Sequence, residues 1–175
     1  PDFIPCDLRD VAALQAASSG YLRGLPPSVL KLGSDNLVPP FDGAIDRRVV
    51  STPIVRSMRV RLAQVATLLA DGLAPRLAGH LRPLTILDIA GGPSADALNA
   101  LLKLDRKGLL AGRQVRIVIY DLDTEGPGFA AAMLGALITG PLTGRDIVLT
   151  HVPGDWSDPA ALARVLKTMP RDTVV

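Results

Sequence analysis

Apolar positions along the chain fall into two regimes. In residues 7–17 they recur at spacing three (Leu8, Val11, Leu14, Ala17), which predicts a short amphipathic helix with Asp7 as its cap. Residues 20–43 are rich in Pro and Gly, with Pro26-Pro27 and Pro39-Pro40, and read as loop. A longer helix is predicted from Thr52-Pro53 onward, its apolar stripe being Ile54, Val55, Met58, Leu62, Val65, Leu68 and Leu69. From Pro83 the pattern changes to short apolar runs alternating with helical periodicity. Strands are predicted over 84–89, 115–120 and 146–152, and helices over 95–104 and 129–138. A third helix runs to Met169, with Ser157 as cap and Pro159 in its first turn, and Thr173-Val174-Val175 opens a fourth strand. Alternating strands and helices predict an α/β fold: a doubly wound, mainly parallel sheet over 83–175, preceded by a helical N-terminal extension over 1–82.

Composition narrows the class. The chain has 175 residues, 48% hydrophobic and 21% charged, enough to bury a core and too apolar for a disordered segment. The longest weakly polar run, residues 128–141, is too short to span a bilayer, so no membrane partner is expected. No basic segment followed by an apolar one opens the chain, and the lone Cys6 excludes an internal disulfide, which points to the cytoplasm. The net charge of +2 and the absence of a basic stripe interleaved with aromatics argue against nucleic acid. The pattern leaves the oligomeric state open, a homo-oligomer included.

In wound sheets, ligands sit at the carboxyl ends of the strands. The first strand ends in Asp88-Ile89-Ala90-Gly91-Gly92-Pro93-Ser94, whose small residues let a ligand approach the backbone closely. The second ends in Asp121-Leu122-Asp123, where a carboxylate can accept both hydroxyls of a ribose. The third ends in Gly154-Asp155-Trp156, an acceptor beside a flat apolar surface, a pairing that suits adenine. A dinucleotide site needs G-x-G-x-x-G and an acid about 20 residues on, and a P-loop needs G-x-x-x-x-G-K-[ST]. Neither pattern occurs, and Asp121 lies 29 residues after Gly92.

These three segments resemble the motifs of class I S-adenosylmethionine-dependent methyltransferases: an acid followed by small residues (Asp88 to Ser94), an acid ending the second strand (Asp121), and an acid just past the third (Asp155, followed by Trp156). The resemblance covers about residues 83–175, and it departs from the family at Ala90 and Ser94, where Gly is frequent. It implies that the cofactor is S-adenosylmethionine and the reaction methyl transfer to a small molecule. Backbone at Ala90, Gly91 and Gly92 would face the methionine moiety, and Asp88 would orient that loop or reach the cofactor amine through water. Asp121 would bind the ribose hydroxyls, Leu122 would pack on the adenine, and Asp155 would accept from its amine with Trp156 nearby. Asp123 is expected to cap a following turn. The family carries seven strands, so the resemblance implies a sheet cut short at the C-terminus, with the cofactor half present.

Other residues favour structural roles. His151 near a strand end could act as a general base, yet a packed or exposed histidine is the expected role. His80 is expected near a helix C-terminus, and Arg47, Arg48, Arg56, Arg59 and Arg61 on solvated faces. No catalytic base and no metal ligand set is readable. Two alternatives stand beside methyl transfer: a non-catalytic binding or scaffold protein on the same fold, and an NAD-dependent oxidoreductase, which the missing glycine pattern disfavours.

Overall fold

The computed structural model describes residues 33–37, 39 and 41–175. The predicted helix over 7–17 and Cys6 lie outside the described residues. A short 3-10 turn, Ser34–Asn36, precedes α1 (Ala44–Val50) and the long α2 (Pro53–Leu77). Strands and helices then alternate: β1 (Leu84–Ile89), α3 (Ala95–Arg106), β2 (Gln114–Asp121), α4 (Glu125–Thr139), β3 (Asp146–Pro153) and α5 (Pro159–Thr168). The chain is thus an α/β protein. No described helix is long and apolar enough to cross a membrane.

The three strands form a parallel sheet in the order β1-β2-β3. Ile86 of β1 sits opposite Ile117 of β2, which sits opposite Leu149 of β3. On its other edge β1 meets Val174 in a single parallel bridge: Leu87 N donates to the Val174 carbonyl at 2.7 Å, and Val174 N to the Thr85 carbonyl at 2.9 Å. The expected fourth strand is therefore present as this one bridge. The chain runs outward from β1 to β3 and then returns to the far side of β1, so the winding reverses at β1.

Side chains alternate across the strands, as the pleat requires. Leu84, Ile86, Val115, Ile117 and Ile119 share a core with α2, α3 and α4, including Leu73, Leu98, Leu101, Phe129 and Met133. Leu87, Val118 and Tyr120 face the other way, against Leu162 and Val165 of α5. Helices thus cover both faces, which explains why β1 reads as a continuous apolar run.

Three local expectations change. The buried line of α2 is Val55, Ala66, Ala70, Leu73 and Leu77, whereas Ile54, Met58 and Leu68 are exposed. Small alanines carry the close packing on this helix, so the bulkier apolar residues beside them turn outward. Helix α4 starts at Glu125, four residues before the predicted start. Asp158, one residue beyond the predicted Ser157, caps α5 by accepting from Ala160 N at 2.9 Å and Ala161 N at 3.2 Å.

One buried cation ties the two regions together. Arg113, 2% exposed, precedes β2. Its guanidinium donates to the carbonyls of Leu77 (2.8 Å), His80 (2.5 Å), Leu109 (3.0 Å) and Arg82. Three of these oxygens, those of Leu77, His80 and Arg82, lie at or just past the C-terminal end of α2, where the helix dipole favours positive charge. Burial pushes the Arg113 pKa downward.

Candidate functional site

The carboxyl ends of the three strands carry every residue proposed from the sequence, and hydrogen bonds centred on β2 hold the loops together. After β1 the chain turns through Ala90 (φ 54°), Gly92 (φ 52°) and Ser94 (φ 47°), all left-handed. Ala90 and Ser94 thus occupy conformations that favour glycine, although each carries a Cβ. That is a physical reason for glycine at these positions, and here the loop holds strain without it. Gly91 is required for a different reason: a Cβ there would overlap the Asp88 carboxylate. Asp88 accepts from Ser94 Oγ at 2.5 Å, which braces the two ends of the turn. Asp88, expected either to orient the loop or to reach a cofactor amine, is thus bonded to the far end of its own turn.

The turn is pinned to β2. Ala90 N donates to the Tyr120 carbonyl at 2.9 Å, and Gly92 N to Asp121 Oδ2 at 2.8 Å. The latter bond joins the glycine turn and the second-strand acid across 29 residues of sequence. Asp121 Oδ1 accepts from Asp123 N at 3.0 Å. Each carboxylate oxygen can accept two bonds, so each retains acceptor capacity on a half-buried side chain. Asp123 takes Glu125 N at 3.1 Å and Gly126 N at 3.0 Å, capping the start of α4 as expected. Gly126 was not anticipated: a Cβ on it would lie 2.7 Å from the Gly92 carbonyl carbon, so its bareness lets α4 approach the turn.

The loop after β3 is pinned to the same strand. Gly154 N donates to the Asp121 carbonyl at 3.2 Å, and the Tyr120 hydroxyl to the Asp155 carbonyl at 3.1 Å. The carboxylate of Asp155 accepts from both the hydroxyl (2.7 Å) and the backbone N–H (2.8 Å) of Ser157. Those bonds favour the ionised form and hold its pKa below the ordinary carboxylate value. Leu122 and Trp156 are exposed, at 67% and 56%, and so offer open apolar surface.

The histidines have structural partners. The half-buried His151 lies within 2.9 Å of the Asp121 carbonyl through Nε2, a contact that makes this nitrogen the donor. His80 lies past the end of α2 and accepts from Arg82 N at 3.3 Å through Nδ1. Among the described residues, no group of three or more His, Cys, Asp or Glu could hold a metal ion.

A cavity of about 770 Å³ lies elsewhere, between α2 and α3, with Arg56, Val60, Leu68, Asn99 and Lys103 among its lining residues. None of the strand-end residues lines it. Volume and chemistry therefore point to different places. The strand ends carry the stronger case, because the winding of the parallel sheet reverses at β1 and because bonds to β2 bring together the loops that carry the acids.

No family model matches the chain, and no curated protein and no solved structure matches it.

Proposed function

We propose that the chain binds S-adenosylmethionine at the carboxyl ends of β1 to β3 and supports transfer of its methyl group to a small molecule, as a cytoplasmic, doubly wound Rossmann-like methyltransferase unit. The observation that carries this reading is the Gly92–Asp121 bond, 2.8 Å long, which brings the glycine turn and the second-strand acid to one point. The residues fit the cofactor. The turn is open at Gly92, where a Cβ would meet nothing within 4 Å, and Asp121 keeps acceptor capacity for a vicinal diol. A dinucleotide is less well served, since G-x-G-x-x-G is absent from the turn.

When bound, the cofactor supplies a sulfonium methyl, an electrophile that needs no further activation by the protein. The chain's own residues bind and orient. Ala90, Gly91 and Gly92 offer backbone to the methionine moiety, and Asp121 accepts from the ribose hydroxyls. Asp155 accepts from the adenine amine, while Leu122 and Trp156 give the ring an apolar contact. Rate enhancement then comes mainly from alignment of acceptor, methyl and sulfur.

A second reading has its own observation. Both oxygens of Asp121 already accept backbone N–H groups, and Asp155 is engaged by Ser157. A scaffold protein on this fold would use the acids in this way alone. Calorimetric titration with S-adenosylmethionine separates the two: methyl transfer requires saturable binding that Asp121→Ala weakens at least tenfold. A folded protein that gives no binding heat excludes the enzyme reading.

A further inference from the structure

Tyr120 stands at the junction of the three segments that form the candidate site. It is the penultimate residue of β2, only 1% exposed, and its backbone carbonyl accepts from Ala90 N in the β1 turn. Its ring lies so close to Gly154 that any Cβ there would overlap it. Gly154 has no left-handed φ, so it is glycine for space rather than for backbone freedom. The Tyr120 hydroxyl donates to the Asp155 carbonyl at 3.1 Å. The ring and hydroxyl together fix where the β3 loop lies above the sheet, and the next residue, Asp121, carries the diol acceptor.

The geometry points to Tyr120 as a positioning residue for recognition of the purine's exocyclic amine: it holds the 154–156 loop so that Asp155 can read that amine. This rests on the cofactor reading above. Tyr120 acts through the loop and touches no reacting atom. Its hydroxyl is the replaceable part, since phenylalanine keeps the ring against Gly154 and the apolar contacts with Leu87 and Val118.

The test compares S-adenosylhomocysteine with its 6-oxo analogue, S-inosylhomocysteine, which lacks the amine. Calorimetry on the full chain should show that the wild type prefers the adenine form. Tyr120→Phe should weaken S-adenosylhomocysteine binding about three- to tenfold, the effect of one lost hydrogen bond. Binding of the inosine form should change by less than twofold, so the preference between the two shrinks. Gly154→Ala, which pushes the loop off the ring, should shrink it as well. Equal losses for both ligands would make Tyr120 a merely structural residue and overturn the inference, as would wild-type preference in both variants. A wild type that binds neither ligand overturns the cofactor reading itself, and the inference with it.

Discussion

Ala90 and Ser94 hold left-handed backbone at φ 54° and 47°, where a Cβ costs about 1–2 kcal/mol. Ser94 has a compensating bond to Asp88, whereas the exposed Ala90 side chain has little to lose. Ala90→Gly should therefore raise stability by about 0.5 kcal/mol, the relieved strain outweighing the added freedom of the unfolded chain. Urea denaturation measures this, and a lower midpoint in the variant would contradict the strain argument. Asp155 gives a second test at this scale. Its pKa is depressed by Ser157, so the turn's contribution is complete at neutral pH and lost as acid protonates the carboxylate. Ser157→Ala should move the Asp155 titration, followed by carboxyl NMR, up toward the ordinary value. An unchanged titration would mean that the two bonds are not what hold it down.

Arg113 belongs to the scale of elements, because it joins the end of α2 to the start of β2. Arg113→Met removes the donor from four carbonyl oxygens, those of Leu77, Arg82, His80 and Leu109. Stranded buried acceptors cost about 1–3 kcal/mol each, with partial relief from water, so a loss of about 2–4 kcal/mol is expected in chemical denaturation. A loss below about 0.5 kcal/mol would show that the clamp carries no weight. By contrast, Leu68→Ala on the exposed side of α2 should change stability by less than about 0.5 kcal/mol. Sequence made some of these elements plain and hid others. β1 and β2 were legible because each is a short apolar run rich in β-branched residues, β1 bounded by Pro83 and Gly91 and β2 by Gly112 and Asp121. The start of α4 was hidden, since Gly126, Pro127 and Gly128 read as loop although Asp123 caps them into a helix turn. Arg113 was invisible, because arginine in sequence reads as surface and only the fold brings four carbonyls around it. The turn of α2 toward its alanines was hidden as well, since periodicity alone does not say which of two adjacent stripes a neighbour will cover.

At the scale of the whole molecule, the order β3-β2-β1 with Val174 beyond β1 decides where the chemistry can gather. Parallel winding sends all strand ends to one side, and in such sheets ligands bind beside the strand where the winding reverses, which here is β1 and its turn at residues 90–94. The acids could be read as candidates from sequence, since each follows an apolar run. The bonding between their loops could not, because Gly92 and Asp121 are joined only through sheet register. Tyr120, Gly126 and Gly154, which hold the loops together, left no sequence signal apart from the bareness of two glycines. The most direct test of the central claim follows the backbone amides of the ¹⁵N-labelled chain by NMR during titration with S-adenosylmethionine. The account predicts saturable shifts concentrated at residues 88–94, 120–123 and 154–156. Absent shifts, or shifts confined to the cavity between α2 and α3, would contradict it.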